Sequence, residues 1–173
     1  MTVIQAVTAV EVLMNLWLRT VVEDGNDEQK KSALLQELDR KISLDQRLST
    51  WPEKYLGHKM DLRDGPGGAF VALKNRRNSI IHFSTTHESV RAPQMIMHGL
   101  ADTTAYDELD STSADAAVIT AEAFVRELFR IRGFDSATSE QALFAWIGKQ
   151  PIAPNIDTAI ASVPPWIASH VQR

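Results

Sequence analysis

One short segment of the chain brings an arginine, an asparagine and a histidine close together: Arg77, Asn78 and His82. The flanking Phe70 and Leu73 are apolar, and the segment has the pattern of a buried amphipathic helix. Polar groups are costly to bury without partners, so packing alone gives little reason to gather them here. Arginine is always charged and matches phosphate, while histidine titrates near neutral pH and can move a proton. Together they suit metal-free cleavage of RNA.

The same segment resembles the signature of the HEPN superfamily. In that signature an arginine, usually followed by Asn, Asp or His, precedes a histidine by four to six residues on a helix. Arg77, Asn78 and His82 match it, and a chain with 11 Arg, 5 Asn and 5 His would produce only about 0.01 such triplets by composition. Arg76 also satisfies the looser spacing, but Asn78 directly follows Arg77, which is therefore the preferred match.

The resemblance implies a metal-independent endoribonuclease without a cofactor. His82 would act as general base on a ribose 2′-hydroxyl, which then attacks the adjacent phosphorus. Arg77 would bind the phosphate and stabilise its developing charge, and Asn78 would orient a phosphate oxygen or fix the imidazole tautomer. Lys74 and Arg76 concentrate positive charge around the motif and are the predicted substrate-binding residues.

The implied partners follow from the same resemblance. Active HEPN proteins are usually homodimers whose motif helices face each other, and a twofold interface needs one patch only. We therefore expect an RNA substrate, a homodimer through the motif helix, and a toxin-like role in a defence or stress system, with a possible antitoxin or protein partner. Two alternatives stay open. One is a HEPN-like dimerisation or interaction module without nuclease activity; the other is a nucleic-acid-binding protein, which the acidic balance disfavours.

No metal site is predicted, because the other histidines lack ligand spacing such as His-Glu-x-x-His. These histidines are His58, His87, His98 and His170. The four tryptophans could stack on bases. For Trp17 and Trp146, which lie on apolar helical faces, core packing is the simpler interpretation.

Composition bounds the class of protein. A chain of 173 residues with 44% hydrophobic and 23% charged residues suits one ordinary globular domain. The absence of cysteine excludes disulfides, thiolate metal sites and a cysteine nucleophile. The first residues lack the basic region of a signal peptide, and no apolar run reaches membrane-spanning length, so we expect a cytoplasmic protein without membrane contact. A net charge of −4 argues against a general polyanion-coating protein.

The elements that must position the motif are predicted to be helices, because apolar residues recur at spacings of three and four and no convincing strand pattern occurs. The expected fold is all-α: an up-and-down bundle with four main helices, a C-terminal helix and a Pro-rich tail. The bundle is expected over residues 1–150, with the tail, residues 151–173, packed on it or at an interface. HEPN domains are bundles of this kind, and the resemblance spans roughly residues 3–133.

The helix boundaries are predicted from caps and stops. In chain order we expect a helix from Val3 to a stop at Asp24-Gly25, a second capped by Asn26 or Asp27, the motif helix from Gly68 to Phe83, one capped by Ser111 or Ser113 and ended by Gly133, and a last one from Thr138 to Gly148. Residues 44–68 are predicted to be a loop with one short helix, because Pro and Gly interrupt the pattern.

Two helix faces are also predicted. The second helix is expected to bury an apolar face and to expose a charged, solvated face that includes Glu37. The apolar face consists of Leu34, Leu35, Leu38 and Ile42. The motif helix is expected to turn one side inward, formed by Ala69, Leu73, Ile80 and Phe83.

Overall fold

The computed structural model of the protein describes residues 3–40, 42–81, 89–92, 95–98 and 109–147. These ranges contain six α-helices, a π-helical turn and one two-stranded hairpin. In chain order they are α1 (Val3–Asp24), α2 (Glu28–Asp39), α3 (Leu44–Trp51), the π-helical turn (Pro52–Leu56), α4 (Gly65–Ile81), β1 (Ser89–Ala92), β2 (Met95–His98), α5 (Ser111–Ile131) and α6 (Ser136–Ile147). The strands pair antiparallel, with Ala92 opposite Met95. The prediction of an all-α helical bundle is confirmed, and the hairpin is a small addition to it.

Contacts along the chain show how the helices are oriented. Arg47, early in α3, bonds to Glu11 in the middle of α1, and the π-helical turn that follows lies beside the last turn of α1. α3 therefore runs parallel to α1. The start of α4 lies against Asp61, whereas Lys74 further along pairs with Asp45 at the start of α3. The third turn of α4 therefore lies beside the start of α3.

The hydrophobic core lies between α1, α4 and α5. Phe70 of α4 stacks on Phe124 of α5 with ring centroids 4.2 Å apart. Trp17 of α1 meets Phe129 of α5 edge to face at 5.1 Å, which confirms the core-packing interpretation of this tryptophan. Residues 120–126 of α5 are all buried, so every side of that stretch is covered. α5 is thus the central helix against which α1 and α4 bury their apolar sides.

The junction between α1 and α2 uses the predicted residues in different roles. α1 ends at Asp24 as expected, but the left-handed residue after it is Asn26, with φ +52°, rather than Gly25. Asparagine tolerates this conformation because its short side chain can bond locally. Asp27 is the N-cap of α2, and its carboxylate accepts two backbone N–H groups of the first turn.

The cap of α5 is Asp110, so the prediction of Ser111 or Ser113 was wrong. The Asp110 carboxylate accepts the backbone N–H of Ser113 at 2.7 Å. An aspartate caps as well as a serine, and its charge also suits the positive end of the helix. Gly133, with φ +92°, follows the end of α5 as predicted. α6 begins two residues before its expected start.

The segment predicted to be mostly loop is more helical than expected. The single short helix is α3, and it continues directly into the π-helical turn at Pro52, where proline lacks the N–H that a regular turn would use. α4 begins at Gly65 rather than near Gly68. Gly67 fits there because it has no side chain: a Cβ would lie 1.9 Å from the backbone oxygen of Asp61.

The apolar face of α2 is narrower than predicted. Leu34 is buried and Leu38 packs partly against the core, but Leu35 is 39% exposed. Since α2 ends at Asp39, Ile42 lies beyond the helix and packs on the core from the following segment. The prediction failed because it extended one helical period past the true end of the helix.

The charged face of α2 was predicted to be solvated, and this prediction was wrong for Glu37. Its carboxylate accepts hydrogen bonds from Trp51 Nε1 at 2.8 Å, Tyr55 Oη at 3.0 Å and Lys54 Nζ at 2.5 Å. α2 is thereby tied to α3 and to the π-helical turn. Trp51 itself is fully buried, so an indole and a carboxylate satisfy each other at the edge of the core.

Within the described ranges, no helix is long and apolar enough to cross a membrane. The predicted end of the motif helix at Phe83 and the tail over residues 151–173 lie outside those ranges.

Candidate functional site

Arg77 lies on the side of α4 that faces the core. Phe70 and Leu73 on that side are fully buried, and Ile80 is 6% exposed. At about 100° per residue, Arg77 falls inside the same arc, one turn after Leu73 and one turn before Ile80. The side chain is half-buried. An arginine therefore stands where the helical pattern would place a leucine.

The guanidinium of Arg77 is incompletely satisfied. Its Nε is buried and has no hydrogen-bond partner in the part of the chain that the structure describes. An unsatisfied buried donor costs about 1–3 kcal/mol, more when the group is charged. Arg76, half-buried at the margin of the same side, does interact with another group of the chain. Arg77 is thus the motif arginine whose placement packing explains least.

Asn78 and His82 complete the predicted motif. Asn78 is half-buried at the edge of the buried side of α4 and directly follows Arg77. His82 lies immediately after α4, outside the described residues. The structure therefore places Arg77 and Asn78 on one helix, while the position of His82, about 40° around and about 6 Å along the axis from Asn78, stays a prediction from helical geometry.

Lys74, predicted to bind substrate, already has an anionic partner. It is 5% exposed, and its ammonium pairs with the carboxylate of Asp45 in the first turn of α3. A buried cation requires such a partner. Asp45 is a residue that sequence reasoning missed, because an acidic residue in the first turn of a helix is ordinary and nothing in its spacing relates it to α4.

A cavity of about 230 Å³ lies at the opposite end of the bundle. Its walls come from the ends of α1 and α5, the start of α2 and the π-helical turn, and they include Lys30, Tyr55 and Arg132. Three separate segments of the chain contribute, so no local sequence signal could have indicated it. Arg132 is the C-cap of α5, a position where positive charge is favourable without any ligand, whereas Lys30 lies in the first turn of α2.

The remaining candidates form no other site in the described residues. No group of three or more histidine, aspartate or glutamate side chains there could hold a metal ion. His58 is exposed, whereas His87 and His170 lie outside the described ranges. Of the tryptophans, Trp17 and Trp51 are engaged in packing rather than available to a base.

Comparisons with known proteins assign no family. The chain matches no family model, and neither a curated protein nor a solved structure matches it. The HEPN resemblance therefore rests on the motif residues of the segment 70–83 and on the helical fold that carries them.

Proposed function

We propose that this protein is a metal-independent endoribonuclease of the HEPN type. The observation that carries the proposal is Arg77, which holds a buried Nε without a partner in the described part of the chain and directly precedes Asn78. A folding chain gains nothing from an unmatched guanidinium. An RNA phosphate would supply the missing acceptors, because arginine matches phosphate oxygens with paired, charge-assisted hydrogen bonds.

In the proposed reaction His82 removes the proton from a ribose 2′-hydroxyl. The 2′-oxygen attacks the adjacent phosphorus, the bond to the 5′-oxygen breaks, and the leaving oxygen takes a proton from water. The products are a 2′,3′-cyclic phosphate and a 5′-hydroxyl. Arg77 stabilises the negative charge that grows on the phosphate, and Asn78 orients one of its oxygens. DNA lacks the 2′-hydroxyl and is not a substrate.

We place this activity in a cytoplasmic homodimer with a toxin-like role in a defence or stress system. The supporting observation for the interface is Ile81, which is 42% exposed on α4 immediately before His82. In the proposed dimer this apolar side chain is covered by the partner subunit. A twofold axis there would bring two arginines and two histidines to one phosphate.

The test is cleavage of structured RNA in excess chelator. Wild type is expected to cut and to leave cyclic phosphate ends, whereas Arg77→Ala and His82→Ala reduce the rate by at least about 100-fold. Asn78→Ala is compared with Asn75→Ala, since Asn75 is an exposed asparagine on the same helix and its loss should leave the rate unchanged. The proposal fails if wild type cuts nothing, or if the arginine and histidine variants cut as fast as wild type.

A non-catalytic interaction module is the second candidate, and one observation favours it. Ile4, Val12 and Leu16 on α1 are 36%, 47% and 58% exposed, and they follow one another at helical spacing along the outer side of that helix. Such a surface suits a protein partner. Partner binding that survives His82→Ala, together with a wild type that leaves RNA intact, would favour this function over the first.

A further inference from the structure

Lys74 lies on the buried side of α4, and its side chain is much less exposed than that of its ion-pair partner, Asp45. Only 6% of its side chain is exposed, whereas the side chain of its partner Asp45 is 65% exposed. The carboxylate therefore lies between the ammonium and solvent. An anion that arrived from solvent would reach Lys74 at the position that Asp45 now occupies.

That position lies next to the motif. Lys74 and Asn78 are four residues apart on α4, which places them along one ridge of the helix, about 6 Å apart along its axis. Arg77 lies less than one turn from Lys74 on the neighbouring side. A phosphate bound to Lys74 would thus belong to the same nucleic-acid strand as a phosphate bound at Arg77.

We propose that the carboxylate of Asp45 holds the place of an RNA phosphate, and that RNA displaces it and binds Lys74 next to the cleavage site. This inference rests on the proposed function, and it assigns a second phosphate-binding position to the same site. Exchange of one anion for another keeps the buried ammonium neutralised throughout, so the cost of an unmatched buried charge is never incurred.

The exchange leaves the fold intact, because Asp45 is not the N-cap of α3. Ser43 caps that helix, and its hydroxyl accepts the backbone N–H of Gln46 at 3.2 Å. Once displaced, Asp45 remains solvated in the first turn of α3, where negative charge is favourable.

The matched comparison is Asp45→Asn against Glu28→Gln. Glu28 is also an acidic residue in the first turn of a helix and also pairs with a lysine, Lys31 at 3.7 Å, but it lies on α2 with its side chain 83% exposed. Both variants remove one negative charge, so any general gain in RNA affinity is the same. Only Asp45→Asn removes the competitor of a phosphate.

Affinity is measured with a labelled single-stranded 2′-O-methyl RNA, which cannot be cut by 2′-hydroxyl attack, over a range of salt concentrations. Asp45→Asn is expected to bind about fivefold tighter than Glu28→Gln. Lys74→Met, which keeps an apolar stem, is expected to bind more weakly and to lower the slope of log affinity against log salt by about 0.7, the value for one lost phosphate contact.

The possible failures are distinguishable. If wild type binds and cuts RNA but Asp45→Asn binds no tighter than Glu28→Gln, this inference is overturned and the proposed function stands. If thermal denaturation shows that Asp45→Asn does not fold, Lys74→Met decides, and an unchanged salt slope overturns the inference. If wild type neither binds nor cuts RNA, the proposed function is wrong and the inference falls with it.

Discussion

At the scale of single residues, two arginines of the bundle differ in the carboxylates beside them. Arg126 of α5 forms ion pairs with Glu122 at 3.5 Å and with Glu140 of α6 at 2.7 Å. Arg77 of α4 keeps a buried Nε without a partner in the described residues. One guanidinium nitrogen of Arg126, Nη1, also lacks a hydrogen-bond partner in the described residues, but this arginine has two carboxylates beside it. Removing one partner of a buried ion pair is costly, whereas removing an unsatisfied buried donor is not. Arg126 is thus matched within the fold, whereas the proposed function supplies a partner for Arg77 from the substrate.

The contrast predicts opposite effects of the same substitution. Arg77→Met should raise the free energy of unfolding by about 1 kcal/mol, because an apolar side chain replaces an unsatisfied donor, and should abolish RNA cleavage. Arg126→Met should lower the free energy of unfolding by about 3–5 kcal/mol, because it removes the cation that pairs with the buried Glu122. Denaturant unfolding measures both. A loss of stability in Arg77→Met would show that this arginine has a structural partner.

At the scale of the elements, Glu37 joins α2 to α3 and the π-helical turn, and its ionisation sets a pH dependence. Burial raises the pKa of Glu37, but hydrogen bonds from Lys54, Tyr55 and Trp51 outweigh it and hold that pKa below its ordinary value of 4.5. A carboxyl whose pKa is lowered by folding stabilises the protein above its unfolded pKa. That contribution is lost as the pH falls from about 4.5 through the folded-state pKa.

Glu37→Gln should therefore cost about 1–3 kcal/mol at pH 7, and the difference from wild type should shrink below pH 4.5. Glu53→Gln is the control, because its side chain is 56% exposed and its contact with Lys59 is 3.6 Å long, so its effect should be small at every pH. Urea unfolding at several pH values measures both. A difference for Glu37→Gln that does not change with pH would contradict this assignment.

The elements also show what could be predicted from the sequence. α1, α4 and α5 are long and have clear apolar periodicity, so their existence and approximate bounds were predictable. The bonds to Glu37 and the Lys74–Asp45 pair were not, because each joins residues on separate helices that only the folded chain brings together. The segment 44–68 was misjudged since Pro and Gly were interpreted as interruptions, whereas Pro52 begins a wide helical turn and Gly67 permits a close approach.

The candidate site also has a part that the sequence predicted and a part that it did not. The motif indicated Arg77 and Asn78 from their types and spacing alone, and the structure adds that Arg77 is half-buried in the same helical arc as Leu73 and Ile80. Nothing in the sequence indicated that Lys74 would be buried or that Asp45 would cover it, because burial depends on how α3 crosses α4.

At the scale of the whole molecule, the two candidate functions use different surfaces. The nuclease needs a dimer through α4, so Ile81→Glu should convert a dimer to a monomer and abolish cleavage. Leu16→Glu on α1 should leave both unchanged, although Leu16 is the more exposed residue at 58% against 42%. Sedimentation velocity measures the association state. Dissociation by Leu16→Glu, with Ile81→Glu still dimeric, would place the interface on α1 and weaken the nuclease proposal.

The central position of α5 has a consequence for how a substrate could enter. α4 packs against α5 along its buried side, and residues 120–126 of α5 are covered on every side. Detaching α4 would expose that apolar surface to water, and this exposure opposes any opening of the helix. We therefore expect α4 to stay packed against α5 in the native state. RNA would therefore reach the motif through side chains at its edge, and in the proposed exchange Asp45 leaves Lys74 only as a phosphate takes its place.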